Sequence, residues 1–363
     1  MPKRKLCVLM PTHWGHTMGG AQYQAKLLID CLSKSGEFQI YYLARRLDPE
    51  VQSAGYELRR VGRSQGAGFI FDTRTLLDTL REIQPDTIYQ QVGCAYTGIA
   101  AYYCRNNPCT LVWQLASDPD VEPWPLSLAR KFSLAYIDKK ILEYGLRHAD
   151  HIVAQSHHQV DLLESNYGRT ASGIIRNFHP SPEESLDKQG KIKVLWIANL
   201  KTIKQPQIFI RLARDLKDLN AEFIMMGNFQ GPQSWRDYVQ GEIDKTSNVS
   251  YRGGLTQAEV NSLLASSHLL VNTSEFEGFS NTFIQAWMRE VPVVSFNVDP
   301  DRLLSEGALG ACATGDYEIL LKQVRELIAD SGKRSETGYK AKKYALKYHS
   351  EQNIEELRKL FLE

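Results

Sequence analysis

The sequence predicts an α/β protein of two domains, each a largely parallel sheet with helices on both faces. Three observations predict it. At 363 residues the chain is longer than one hydrophobic core usually supports, so two domains of ordinary size are expected. Short apolar runs alternate along it with segments of helical periodicity, the order that builds parallel sheets. Near the middle, residues 178–190 (FHPSPEESLDKQG) are polar and proline-containing, a linker by composition, and a fresh strand signal starts at Lys193.

Taken in order, residues 6–10 (LCVLM) read as the first strand. The loop at 11–20 (PTHWGHTMGG) leads into a helix with Ala21, Ala25, Leu28 and Leu32 on one face. Glycine lets the backbone come close to a ligand, so Gly19 and Gly20 at a strand-to-helix turn suit a phosphate; a plain tight turn is the simpler alternative. His13 and His16 in the same loop are either solvated or part of the chemistry. Strands follow at 39–43, 87–91 and 110–114, with helices at 72–83 and 97–104 and a flexible turn at 64–68. In residues 116–120 (ASDPD), Asp118 and Asp120 either shape a proline turn or face a ligand. Residues 125–147 form a long helical pattern with Leu128, Phe132, Ala135, Leu142 and Leu146 on one side. Arg130, Lys131, Lys139 and Lys140 allow a membrane-surface reading, but Asp138 and Glu143 dilute the basic face, and ordinary packing is expected.

The second half begins with a strand at 193–197, a loop at 198–206 (ANLKTIKQP) and a helix aligned on Ile208, Leu212 and Leu216. A strand at 222–227 ends in Gly227. The stretch that organises this half is 268–299. An apolar strand (HLLVN) runs into a polar loop (TSEFEGF), then Ser280 stands where an N-cap should, with Phe283, Ile284, Trp287 and Met288 at helical spacing behind it. Residues 291–296 read as the next parallel strand, and helices are expected at 317–330, 334–349 and 351–361. Glu277 therefore sits at the carboxyl end of a parallel strand, the edge where open α/β sheets bind ligands. The N–H groups of Ser280, Asn281 and Thr282 stand at a helix start, ready for an anion. A hydroxyl acceptor beside a phosphate cradle suits a sugar nucleotide.

These residues also carry a resemblance. The segment 277–295, EGFSNTFIQAW followed by VPVVS, resembles the signature of family-4 retaining glycosyltransferases of the GT-B fold, of the group-1 glycosyl transferase type. The family pattern there is Glu-Gly-Phe-Gly, a second Glu eight residues after the first, then Gly-x-Pro-Val-Val. Glu277 matches the first Glu; Gln285 stands at the second and Glu290 replaces the Gly before Val-Pro. Residues 148–156 (HADHIVAQS) resemble the family's Ala-Asp-x-Ile strand and helix cap, and 174–177 (IIRN) its Ile-Pro-Asn segment. Lys204 falls on the family's phosphate-binding Lys, Asn199 replaces its Arg, and Lys201 is a candidate to supply the missing charge; a solvated surface lysine is the plain alternative. The segment 248–254 (NVSYRGG), with Arg252, resembles the one whose backbone reads the nucleotide base. Asp118 matches an acid near the acceptor, without the family's accompanying His.

The resemblance implies two Rossmann-like domains facing a central cleft: 1–180 for the acceptor, a linker at 181–190, 191–347 for the nucleotide sugar, and a helix at 348–363 crossing back to the first domain. It implies Glu277, Lys204 and Asp118 as catalytic residues. The donor would be held by Gly19, Gly20, Asn199, Lys201, Lys204, Arg252, Glu277, Gly278, Phe279, Ser280, Asn281, Thr282 and Gln285, with Gln285 taking the ribose. The expected reaction moves a sugar from a UDP- or GDP-linked donor to a saccharide or lipid-linked acceptor with retention, in cell-surface polysaccharide or glycoconjugate synthesis. A weakened sugar-nucleotide binding or regulatory protein is the alternative. A glycoside hydrolase is disfavoured, because it needs a spaced carboxylate pair and the sequence shows no candidate for one beyond Glu275 and Glu277.

Bulk properties narrow the partners. A net charge of +1 gives no global field for nucleic acid. The basic start (MPKRK) is followed by only five apolar residues before Pro11, too few for a signal-peptide core, and no apolar run approaches a membrane span. The cysteines at 7, 31, 94, 104, 109 and 312 form no C-x-x-C pair and read as reduced core residues of a cytoplasmic protein, with peripheral contact at the inner membrane face as the second option. No His/Cys/Asp cluster has metal-ligand spacing, so neither metal nor cofactor is expected.

Overall fold

The computed structural model describes residues 2–48, 53–62, 68–123 and 133–363. By internal contact the chain divides into two compact units, Met1–Phe178 with Glu351–Glu363, and His179–Ser350.

The first unit runs β1 (Arg4–Thr12), α1 (Gly20–Ser35), β2 (Phe38–Arg46), β3 (Glu57–Arg60), α2 (Thr73–Ile83), β4 (Thr87–Gln91), α3 (Ala95–Arg105), β5 (Thr110–Gln114), α4 (Leu134–His148), β6 (His151–Ala154), α5 (His157–Tyr167) and β7 (Gly173–Ile174). Its seven strands are parallel, in the order β3-β2-β1-β4-β5-β6-β7. Side chains alternate across a strand, and here both faces are apolar. Cys7, Leu9, Tyr41 and Leu43 join one core, while Leu6, Val8, Ile40 and Tyr42 join the other. Continuous apolar runs such as LCVLM need a sheet covered on both sides, and this one is. Ser156 caps α5 by accepting from the Gln159 N–H at 3.2 Å. The helix expected over 125–147 is observed from Leu134, capped by the Ser133 hydroxyl on the Tyr136 N–H; residues 124–132 lie outside the described residues. So do residues 63–67, which hold most of the turn expected at 64–68. Helices α3 and α4 cross at Gly98 and Gly145. A Cβ on Gly98 would stand 2.0 Å from the Ile141 carbonyl oxygen, and one on Gly145 2.7 Å from the Gly98 nitrogen.

The second unit runs β8 (Ile192–Ile197), α6 (Pro206–Asp215), β9 (Ala221–Met226), α7 (Gln233–Asp244), β10 (Val249–Tyr251), α8 (Gln257–Ala265), β11 (Leu269–Asn272), α9 (Asn281–Met288), β12 (Val293–Ser295), β13 (Gly310–Cys312), α10 (Tyr317–Ala329) and α11 (Ser331–Tyr348). Its six strands are also parallel, ordered β10-β9-β8-β11-β12-β13. Val194, Trp196, Phe223 and Met225 face one core, Leu195, Ile224 and Met226 the other. The chain then returns to the first unit as α12 (Gln352–Leu362). There Phe361 is fully buried edge-on to Tyr89 and Phe38, with ring centroids 5.5 and 6.3 Å away. Arg358 forms an ion pair with Glu37. All six cysteines are free thiols.

Candidate functional site

In the second unit the loops that leave neighbouring strands β8 and β11 are tied together at the carboxyl edge of the sheet. Thr273, one residue beyond β11, accepts from the buried Trp196 indole N–H at 2.8 Å and donates to the Lys204 carbonyl at 2.7 Å. The Glu275 N–H donates to the Ile203 carbonyl at 2.9 Å. Lys204 itself closes a single tight turn, Thr202–Lys204, just before α6. These bonds bring two sequence-distant groups face to face: the Lys204 ammonium lies 2.9 Å from Glu277 Oε1.

That oxygen also accepts from the Asn272 amide at 2.8 Å and the Ser274 hydroxyl at 2.5 Å. Asn272 is oriented in turn, because its Oδ1 accepts the Ser274 N–H at 3.1 Å. Three donors therefore converge on one carboxylate oxygen, and among the described residues none reaches the other, Oε2. Burial alone raises the Glu277 pKa; the Lys204 charge, with hydrogen bonds from Ser274, Lys204 and Asn272, outweighs it and holds the carboxyl below its ordinary range. The side chains stay 16% and 22% exposed for Glu277 and Lys204, so both are within reach of a ligand. The arrangement presents a fixed anionic oxygen to hydroxyls beside a cation fit for phosphate.

The remaining expected donor residues distribute unevenly. Gly278 is half-buried and Phe279 and Ser280 are buried. Ser280 does stand before α9, but its hydroxyl pairs with that of Thr282 at 2.9 Å and does not cap the helix. Asn281 opens α9 and hydrogen-bonds the His179 ring. Asn199 and Lys201 lie on the loop after β8, and neither side chain has a hydrogen bond or ion pair among the described residues. Beside them Gly227 runs so close that a Cβ would stand 1.7 Å from the Ala198 carbonyl oxygen, at a φ of 140°. Only glycine allows that approach.

Two more of the expected donor residues turn toward partners in their own unit. Gln285 is buried in α9 with its amide N–H groups given to Gln257 at 2.9 Å and Asn261 at 3.2 Å, both on α8; that amide is engaged within the fold, where a ribose contact was expected. Arg252 follows β10, but its guanidinium turns back toward Glu222 at 3.7 Å and is largely solvated. Glu290, where the family has Gly, has a φ of 56°. A left-handed residue explains the family's Gly; here the Glu290 carboxylate pairs with Lys342 at 2.8 Å and its carbonyl accepts from Lys188 at 2.6 Å.

Gly19, Gly20, Asp118, His13 and His16 belong to the first unit. Gly19 precedes α1 with extended backbone, and Gly20 is its first residue. Asp118 accepts from the Gln159 amide at 3.2 Å. Its neighbour Asp120 shapes the turn, taking the N–H groups of Gly93, Ala116 and Ser117 at 3.2, 2.7 and 3.1 Å. His13 is fully buried among Trp14, Tyr42 and Tyr56, with its pKa lowered to about 4 by burial. Its Nδ1 accepts from the Gly15 N–H at 3.0 Å, so Nε2 carries the proton and donates to the Tyr56 hydroxyl at 2.8 Å. His13 is a structural residue of this turn; His16 is exposed.

Sequence reading passed over Asn272, Thr273, Ser274 and Trp196, all buried and all bonded to or behind the Glu277–Lys204 pair. Three consecutive polar residues closing an apolar strand were the available signal.

Comparison with known proteins places this geometry. Residues 191–330 match the family model described as Glycosyl transferases group 1, a span that holds both Lys204 and Glu277. Along its whole length the chain superposes on solved glycosyltransferase structures. The fold is GT-B. Sucrose-phosphate synthase from Thermosynechococcus elongatus aligns with a TM-score of 0.80 at 13% identity, covering 99% of this chain and 100% of that one. WaaG, a glycosyltransferase involved in lipopolysaccharide biosynthesis, aligns at 0.78 and 14%, covering 98% and 99%. HepE from Anabaena, solved with UDP and glucose, aligns at 0.72 and 16%, covering 99% of each chain. The GT-B fold accounts for two parallel-sheet units within one chain and places Glu277 on a loop at a sheet's carboxyl edge.

Proposed function

We propose that the protein is a retaining hexosyltransferase of glycosyltransferase family 4 that moves a sugar from a UDP- or GDP-linked donor to a saccharide or lipid-linked acceptor. The observation that carries the reading is the Glu277–Lys204 pair, with one carboxylate oxygen saturated by three donors and the other left for sugar hydroxyls. Lys204 and the start of α9 stabilise charge developing on the leaving diphosphate, a task that preorganised donors perform at low cost. Asp118 is the candidate for acceptor contact in the first unit. In this reading the acceptor attacks on the donor-bound face, without a covalent enzyme intermediate.

In this reading Lys204 and the first backbone amides of α9 take up the phosphate charge. Release of nucleoside diphosphate from UDP- and GDP-sugars, with and without EDTA, tests both points. Release that survives EDTA is expected; an absolute need for Mg²⁺ or Mn²⁺ would show the diphosphate site to be misplaced. Among the described residues no helix is long and apolar enough to cross a membrane. The setting in this reading is cytoplasmic, free or peripheral at the inner face, in cell-surface polysaccharide or glycoconjugate synthesis; WaaG, of similar fold, is described as involved in lipopolysaccharide biosynthesis. The engaged Gln285 amide favours one other reading, a sugar-nucleotide binding protein without turnover. Diphosphate released by the wild-type protein rules that out.

A further inference from the structure

The second unit begins at His179 and ends one residue beyond His349, so a histidine stands beside each point where the chain enters or leaves it. Both are buried, 3% and 0% exposed. The His179 N–H donates to the His349 carbonyl at 2.9 Å, joining the entering and leaving segments directly. Each histidine also grips the loop that carries Glu277. The Phe279 ring packs on His349 with centroids 4.7 Å apart, and the Asn281 side chain hydrogen-bonds the His179 ring. Trp287 and Tyr344 close around His349 at 6.4 and 5.8 Å.

Phe279 and Asn281 flank Ser280, the residue just before α9, and follow Glu277 within four positions. An apolar side chain would fill the same space at lower cost, because burying an imidazole is unfavourable unless its polar atoms are engaged. We propose that His179 and His349 are positioning residues that latch residues 277–281, holding the first amides of α9 and the Glu277 carboxylate in register for a nucleoside diphosphate and its sugar. The identity of the ligand rests on the function proposed above; the latch rests on the contacts alone.

The test uses the full chain and reads the two claims separately. Hydrogen exchange is measured without ligand on the wild type and on His179→Phe, which keeps a ring and removes the bond to Asn281. Exchange in 276–282 should quicken about tenfold or more, the scale of one lost buried hydrogen bond, while β11 is unchanged. UDP or GDP binding by calorimetry should weaken by a similar factor, and His179→Asn, which can still bond Asn281, should recover most of both. Glu277→Gln should show the opposite split, with diphosphate binding kept and turnover lost. If His179→Phe does not fold, Phe279→Leu carries the same expectation. Unaltered exchange in 276–282 overturns the latch. Faster exchange in a protein whose wild type binds neither UDP nor GDP upholds the latch and overturns the proposed function instead.

Discussion

The two sheets end their strands on loops of similar design but treat buried polar groups in opposite ways. At the first sheet's edge Asp120 has both carboxylate oxygens filled by backbone N–H groups, and His13 has both ring nitrogens engaged. At the second, Glu277 carries three donors on one oxygen and, among the described residues, none on the other. Their ionisation differs accordingly. Burial raises the Asp120 pKa in spite of its bonds, whereas the Lys204 ammonium tips the balance for Glu277 and lowers it. A fully satisfied polar group shapes a turn. A half-satisfied one beside a cation is available to a ligand.

The largest expected effect breaks that comparison at Glu277. Glu277→Ala should lower turnover by roughly 10² or more, as loss of one transition-state contact does, while nucleoside diphosphate still binds. Near-normal turnover would remove Glu277 from the chemistry. Asp120→Ala should act on the fold instead. It orphans three backbone N–H groups, so chemical unfolding should show a loss of about 2–4 kcal/mol. A stable variant would mean that the first edge is less committed than its bonds imply.

A third test compares two buried histidines, His13 of the first unit and His179 of the second. Burial lowers the pKa of His13 to about 4, and burial, with help from His349 and Arg289, lowers that of His179 to about 3. Both are neutral when folded and titrate near 6.5 when unfolded. Their contribution is therefore complete above pH 6.5 and is lost as pH falls from there toward 4 and 3. At pH 5 each should have given up about 1–2 kcal/mol. Urea midpoints at pH 7.5 and 5 should converge in His13→Phe and His179→Phe relative to wild type; an unchanged pH slope would assign the acid sensitivity elsewhere.

The smallest effect concerns Gln285, whose amide is turned into the fold. Gln285→Glu should change donor affinity by no more than about 1–2 kcal/mol, the scale of one charged hydrogen bond, and keep activity. Gln257 and Asn261 would have to reverse their amides to face the new carboxylate. Gln285→Leu should raise the donor KM clearly more if the ribose reaches this residue. A Leu variant with the wild-type KM would take Gln285 out of the donor site.

Much of this was legible in the sequence, and the gaps have physical causes. Thr87–Gln91 and Thr110–Gln114 match their strands residue for residue, because both are bounded by clear turn residues. Edge strand β3 was missed since Glu-Leu-Arg-Arg has the look of a solvated segment; its pairing with β2 supplies what its side chains do not. Helices α7 and α8 lie between the strand at 222–227 and the stretch 268–299, where the sequence pattern points to no helix. Glu277 and Lys204 could each be found from local pattern, but their 2.9 Å contact depends on Thr273 and Ile203, whose bonds join loops some seventy positions apart. Side-chain direction was the least legible property. Nothing in NVSYRGG or NTFIQAW says that Arg252 turns back or that Gln285 faces α8.

The glycine crossing of α3 and α4 has a mechanical consequence for the first unit. With a backbone carbonyl where Gly98 would carry a Cβ, the two helices meet main chain against main chain there, with the β-branched Ile141 side chain beside the contact. Sliding one helix along the other would drive backbone into backbone at the next turn. Lys139, on α4, also donates to the Pro119 and Asp120 carbonyls at 3.0 and 3.3 Å, so the turn at Asp118–Asp120 is bolted to the same pair. Any shift of that turn must therefore carry α3 and α4 with it as one block, and the compliance of the first unit has to reside in segments outside this pair.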